Sequence, residues 1–315
     1  MKRQELVLRM RAEPVPWFGL FFSWITMLLG IEEPALKKVS IELVPGDLTA
    51  VSAIARGEAE IGMTTPPACA AMARRGVGPY REKMDNLRAI LSFPHDDRLV
   101  WAVPAEFGVR SIEELKDQKL TFAVAGADSP VGFAVDQVLK ACGMSLEEQI
   151  ATGKWQVITE EYLFKVITLG IQGKADMVVH EGRKTPPWAR FAQSRKLSFL
   201  PIRGDILDRM EKDFGFRKAV LSKGMIEGAV TQDTPTLDWS EWLLFTRDDV
   251  DADLIYLITK IVVEYRHLFE MSFKGQPLEK SDLVYPMVPG ELWKNVGVPL
   301  HSGAERYFRE HGHMP

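Results

Sequence analysis

The feature that most constrains this chain is a passage that occurs twice, once in each half, with its parts in the same order. Ile41-Glu-Leu-Val44 reads as a short buried strand and Pro45-Gly46-Asp47 turns it. Leu48 to Arg56 then reads as a helix, and Gly57-Glu-Ala-Glu60 leads into the apolar Ile61-Gly-Met63. Downstream, Trp155-Gln-Val-Ile158, Thr159-Glu160-Glu161, Leu163 to Gln172, Gly173-Lys-Ala-Asp176 and Met177-Val-Val179 repeat the series. Each glycine stands where a helix needs a left-handed C-terminal residue, and each apolar run after it has strand composition. Two copies of strand–helix–Gly-x-Ala-acid–strand predict two similar α/β lobes. In open parallel sheets ligands bind beyond the carboxyl ends of the strands, so two such lobes predict a cleft that holds something small.

At 315 residues, 46% of them hydrophobic, the chain is long enough for two cores. A net charge of −4, with no Lys/Arg run beyond two residues, leaves no electrostatic footprint for nucleic acid. Cys69 and Cys142 read as reduced, buried small hydrophobes rather than a bridge. Pro14 to Ile31 carries no charge over 18 residues, the threshold for a membrane span. Glu13, Pro14 and Pro16 argue instead for a strand (Glu5 to Met10), a loop and a wholly buried helix from about Leu20 to Leu29, with no membrane insertion. Read from Met1, the sequence shows no export signal. The expectation is therefore a cytoplasmic protein, or an extracytoplasmic one if a leader has been removed.

Along the first lobe, Thr65 is expected to cap a helix that Pro66 opens and Gly76 ends. Asn86 to Phe93 reads as a strand, Pro94-His-Asp-Asp97 as a turn, and Leu99 to Val103 as a strand crossing to the second lobe. There, Ser111-Ile-Glu-Glu114 reads as a capping box, and Gly126-Ala-Asp-Ser129 precedes a helix opened by Pro130. Ser198 to Ile202 reads as the return crossing, which gives lobe 1 as residues 1–103 with 199–315 and lobe 2 as residues 104–198. Ala252 to Phe269 reads as one long helix.

Several of these stretches resemble the TRAP-associated extracytoplasmic immunogenic (TAXI) family. They are Asn86-Leu-Arg-Ala-Ile90, Ser111-Ile-Glu-Glu-Leu-Lys116, Gly173-Lys-Ala-Asp176, the segment Val250 to Phe269, and Pro299-Leu-His-Ser-Gly-Ala-Glu-Arg-Tyr-Phe308. The resemblance implies a two-lobed type II periplasmic-binding-protein fold: two mostly parallel sheets with flanking helices and an interlobe cleft. It also implies a solute receptor that hands a small organic acid to a TRAP-type membrane transporter. The family's Gly-rich first loop is replaced here by Met10-Arg-Ala-Glu-Pro-Val-Pro-Trp-Phe-Gly19, which has two prolines and one glycine.

Three helices are expected to begin at the cleft, after Gly46-Asp47, Thr64-Thr65 and Asp128-Ser129, and their free amides favour an anion such as a carboxylate. Trp17 and Phe18 would supply an apolar wall, with Trp188 and Phe133 opposite. Arg183, in His180-Glu181-Gly-Arg183 after a strand end, could hold a carboxylate bidentately, and His95 borders the same region. The leading reading is a binding protein for a small, carboxylated, partly apolar or aromatic ligand. The alternative is a cytoplasmic decarboxylase, hydrolase or isomerase on the same scaffold. Its acid–base groups would be Glu13, His95, Asp97 or His180, with Glu160 and Glu161 also near strand ends. No nucleophile motif, metal-ligand spacing or cofactor is expected.

Overall fold

Both copies of the repeated passage fold as strand–helix–strand units, and each occupies the same place in its own sheet. The structure is a computed structural model that describes residues 6–12, 16–32, 36–43, 47–160 and 162–315. The chain forms two units, residues 1–96 with 241–315 and residues 97–240. Unit 1 begins with β1 (Leu6–Ala12), α1 (Pro16–Glu32), β2 (Leu36–Leu43), α2 (Asp47–Ala55), β3 (Ile61–Thr64), α3 (Ala68–Arg75) and β4 (Leu87–Phe93). Unit 2 follows with β5 (Val100–Pro104), β6 (Leu120–Val124), α4 (Pro130–Ala141), α5 (Leu146–Ala151), β7 (Trp155–Thr159) and α6 (Leu163–Ile171). It continues with β8 (Met177–His180), α7 (Pro186–Ser194), β9 (Leu197–Phe199), α8 (Gly204–Phe214), β10 (Lys218–Leu221) and β11 (Thr234–Leu237). β12 (Trp242–Arg247), α9 (Ala252–Glu264), α10 (Arg266–Met271) and α11 (Ser302–Glu310) complete unit 1.

The five-stranded sheets have matching orders, β2-β1-β3-β12-β4 in unit 1 and β7-β6-β8-β5-β9 in unit 2. In each, the first three strands named run parallel, and the fourth is antiparallel to both of its neighbours. The Gly-x-Ala-acid segment does the same work twice. Gly57 (φ 79°) and Gly173 (φ 68°) end α2 and α6 in the left-handed region, where a side chain would be strained. Ala59 and Ala175 are each 1% exposed. The acid then grips one residue of the middle strand of the parallel three (β1 or β6) from both sides. Glu60 N–H donates to Arg9 C=O (2.9 Å) and its carboxylate accepts Arg9 N–H (2.7 Å). Asp176 repeats this on Thr121, at 2.7 and 2.8 Å.

The uncharged run near the start becomes α1, longer than the sequence reading at both ends. Phe18, Phe21, Phe22, Ile25, Leu28 and Leu29 recur every three or four residues and are all at most 3% exposed. They join Phe93, Trp242 and Phe269 in the core of unit 1. Burying aromatic area of this size stabilises by a few kcal/mol per ring, which is why the helix carries no charge on that face. Among the described residues no helix is long and apolar enough to cross a membrane.

Several expectations are corrected. The chain returns to unit 1 between residues 240 and 241, because residues 197–199 form an edge strand of the unit 2 sheet rather than a crossing. The two passages bond through Trp239 N–H to Asp97 C=O (3.0 Å) and Glu241 N–H to His95 C=O (3.0 Å). Residues 252–269 form two helices, broken at Tyr265 (ψ 18°). Ser111 caps nothing, since a 3₁₀ turn over Glu113–Asp117 starts from Ile112 without a side-chain cap. The Pro299 to Phe308 ending is a fold element: Pro299 C=O and His301 N–H pair with Ala89 on the open edge of β4. His301 Nδ1 then caps α11 by accepting Gly303 N–H (3.1 Å).

Removing the Asp176 carboxylate strands the Thr121 N–H, so Asp176→Ala should lower the unfolding free energy by about 1–3 kcal/mol in urea denaturation. Asp176→Asn, which keeps an acceptor, should recover most of it. Equal stability of wild type and Asp176→Ala would contradict this role.

Candidate functional site

In unit 1 the carboxyl ends of the parallel strands are followed by α1, α2 and α3, and the residues there divide into packed and unsatisfied groups. Trp17 lies in the first turn of α1, half-buried, its ring tilted against Phe273 at a centroid distance of 4.5 Å, with its indole N–H donating to Asp282 (3.3 Å). Phe18 is fully buried and edge-on to Trp242 at 6.0 Å, so it is core and not a ligand wall. The reason is helical spacing, which turns Phe18 onto the face shared with Phe21 and Phe22. His95, 6% exposed, stacks on Trp242 with the ring centroids 4.3 Å apart.

Thr64 closes β3 and is completely buried, and its hydroxyl has no hydrogen-bond partner among the described residues. Leaving a buried hydroxyl unpaired costs about 1–3 kcal/mol, which marks it as a place for a further partner. Thr65 is buried as well but does not cap α3. Pro67 is the N-cap residue, and no side chain caps the helix. Because Pro66 and Pro67 carry no N–H, the start of α3 is formed by two residues without amides. Asp47 opens α2. Gly46, Glu13 and Glu161 lie outside the described residues.

In unit 2, Ser129 serves its own helix. Its Oγ accepts Gly132 N–H (3.0 Å) and donates to Gly126 C=O (2.8 Å). Gly132 is required here, since a Cβ would sit 2.0 Å from Gly126 O. Asp128 is exposed beside this cap, and Glu160 pairs with Lys165 at 3.5 Å. Phe133 packs edge-on against Phe214 at 5.1 Å, as part of the α4–α8 contact.

The turn after β8 is braced by several buried hydrogen bonds. His180, 5% exposed, accepts Glu181 N–H on Nδ1 (3.0 Å), and burial pushes its pKa down to about 3. Asp97, 2% exposed, spends its carboxylate on backbone donors: Gly182 N–H (2.6 Å), Arg183 N–H (3.0 Å) and Arg98 N–H (2.7 Å). Trp188, expected as a wall, is fully buried and donates its indole N–H to Glu181 C=O (2.8 Å). Arg183 is itself only 7% exposed.

These contacts alter the proposed acid–base roles. Asp97 is consumed by amides, and an imidazole held neutral to about pH 3 is too weak a base for ordinary proton transfer. Sequence reasoning also missed Asp282 and Trp242. Gly182 was the available signal for a positive-φ turn (φ 81°), but its carboxylate partner lies 85 residues earlier. Cys69 and Cys142 are free, and burial, followed by Glu113, pushes the Cys142 thiol up to about 12. An open depression of about 560 Å³ lies at the amino ends of β6, β7 and β8, lined by Lys119, Thr121, Lys154, Gln156 and Asp176. It is at the opposite end of the strands from these groups, and its Asp176 carboxylate already holds Thr121.

The model of the NMT1-like family matches residues 25–312, and the chain belongs to that family. The fold is that of periplasmic binding proteins. PhnD1 from Prochlorococcus marinus (MIT 9301), solved with methylphosphonate, has a TM-score of 0.56 at 11% identity, over 98% of this chain and 100% of that one. XAC2383 from Xanthomonas citri, bound to chloride ion, has a TM-score of 0.53 at 11% identity, over 97% and 99%. A structure described as a periplasmic transporter has a TM-score of 0.51 at 14% identity, over 96% and 92%.

The depressed His180 pKa has a consequence for stability. The unfolded imidazole protonates near 6.5 while the folded one resists to about 3. Its contribution is therefore complete above about 6.5 and is lost as pH falls through the window between these values. His180→Asn keeps an acceptor for Glu181 N–H and does not titrate. Its melting temperature should fall less steeply than that of wild type between about pH 7 and pH 4. Identical slopes would show that His180 is not held neutral.

Proposed function

We propose that this chain is a solute-binding protein for a small organic acid. The observation that carries the reading is the unpartnered, fully buried Thr64 hydroxyl at the carboxyl end of β3, beside the uncapped start of α3. A hydroxyl donor and the positive end of a helix dipole both favour an anionic group. In unit 2 the Arg183 guanidinium follows the corresponding strand end and is suited to a carboxylate. Two structurally similar proteins are described with anions bound, methylphosphonate and chloride.

The finer reading is a ligand with one acidic end and an apolar or aromatic body. It rests on the replacement of a glycine-rich first loop by Pro14, Pro16 and Trp17, which removes amide donors and adds an indole. Delivery to a TRAP-type membrane transporter, and hence an extracytoplasmic location, follows from the resemblance of residues 86–90, 111–116 and 173–176 to TAXI receptors. Of the acid–base groups that an enzyme would need, Asp97 and His180 are otherwise engaged, and no observation favours catalysis.

Thermal-shift measurements test this with phenylacetate, acetate and 2-phenylethanol. Phenylacetate, which combines ring and acid, should raise the melting temperature by a few degrees at saturation, and more than either partial analogue. Thr64→Val should weaken phenylacetate binding by about 0.5–1.5 kcal/mol with little loss of stability, since no protein hydrogen bond is removed. Trp17→Ala should weaken it by about 2 kcal/mol if the indole anchors the ring. A response to 2-phenylethanol equal to that for phenylacetate would rule out an acid site. Unaltered affinity in Trp17→Ala would return the ligand to a simple acid.

A further inference from the structure

Asp97 belongs to two parts of unit 2 at once. Its backbone is tied to the segment through which the chain leaves the unit: Asp97 N–H donates to Ser240 Oγ (3.1 Å), and its C=O accepts Trp239 N–H (3.0 Å) and an Arg98 guanidinium N–H (2.6 Å). Its side chain is tied instead to the turn between β8 and α7, through Gly182 and Arg183 N–H at 2.6 and 3.0 Å. That turn needs such a brace. Gly182 has a φ of 81°, in the left-handed region where any other side chain would be strained, and a Cβ there would also press on the Leu163 methyl group at 2.8 Å. Thr185 completes the turn, donating both its N–H (2.8 Å) and its hydroxyl (2.6 Å) to Gly182 C=O. Burying a carboxylate is costly unless its lone pairs are filled, and here backbone amides fill them. A serine would cap a turn more cheaply. What a carboxylate adds is a pair of oxygens that hold two successive amides in a fixed direction.

We propose that Asp97 is the positioning residue of the acid-binding site: by fixing the Gly182 and Arg183 amides it makes Arg183 leave the turn in one direction. It acts through Arg183 and does not touch the ligand. This rests on the reading of Arg183 as a contact for the ligand's acidic end. It assigns to the His-Asp-Asp turn a role in affinity that is distinct from acid–base chemistry.

The test has an arm that needs no ligand. Amide hydrogen exchange is followed in wild type, Asp97→Asn, Asp97→Glu and Asp97→Ala, in peptides covering residues 180–185 and, as reference, 61–64. Asp97→Ala should speed exchange at Gly182 and Arg183 by about tenfold or more, corresponding to one lost hydrogen bond to a charged acceptor, with the reference unchanged. Asp97→Glu should restore part of the protection. Unchanged exchange at Gly182 and Arg183, or acceleration spread equally over the reference, overturns the positioning role.

The second arm measures phenylacetate affinity by calorimetry in Asp97→Asn, Arg183→Gln and the double variant. Each single change should weaken binding by about tenfold, and the double variant should be within about twofold of Arg183→Gln alone, since residues acting through one another do not add. Independent, multiplicative losses overturn the proposal. Absence of phenylacetate binding by wild type overturns the acid-site reading, and with it any role of Asp97 in affinity. The exchange arm then reports on the turn alone.

Discussion

The arrangement depends on an acid that holds one residue of a neighbouring strand by both its backbone and its carboxylate. Glu60 does this to Arg9 and Asp176 to Thr121. Because side chains alternate along a strand, a slip of one residue between β1 and β3, or between β6 and β8, would turn the buried set outward. The double hydrogen bond is incompatible with such a slip. It sets where β3 and β8 begin and in which register they run, and Thr64 and His180 then close these four-residue strands. The preceding glycine and alanine serve the same end, one by ending the helix in the left-handed region and the other by fitting a fully buried gap.

Most of the polar groups at those strand ends are already engaged by the backbone. Ser129 is used by α4, Asp97 by the turn at 182–183, and His180 by the amide of Glu181. Each is fixed by the fold and has little freedom to exchange protons with a substrate. Thr64 differs, being buried with no partner among the described residues. A buried hydroxyl whose direction the fold already sets can recognise an anionic group at small reorganisation cost.

The fold was largely legible in the sequence because its signals are local. Gly57 and Gly173 mark helix ends, and the apolar runs after them have strand composition. Glu13, Pro14 and Pro16 point to a buried helix from about Leu20 to Leu29 in the uncharged run, which lies within α1. The site was less legible because it depends on pairings distant in the chain. Nothing near Gly182 in sequence points to Asp97, and nothing near Trp17 points to Phe273 or Asp282. Phe18 was misread because substitution of a glycine-rich loop suggested a loop, whereas the helix begins at Pro16 and turns this ring inward. The return passage was misplaced because Leu197–Phe199 is short and apolar, a pattern shared by an edge strand and a crossing.

The central claim is that the carboxyl edges of the sheets, and not their amino edges, hold an acidic ligand. A crystal structure of the protein soaked with phenylacetate tests it most directly. The account predicts the carboxylate within hydrogen-bond distance of the Thr64 hydroxyl or the Arg183 guanidinium. A phenylacetate bound instead in the depression lined by Lys119, Lys154 and Asp176, with Thr64 and Arg183 untouched, would contradict it.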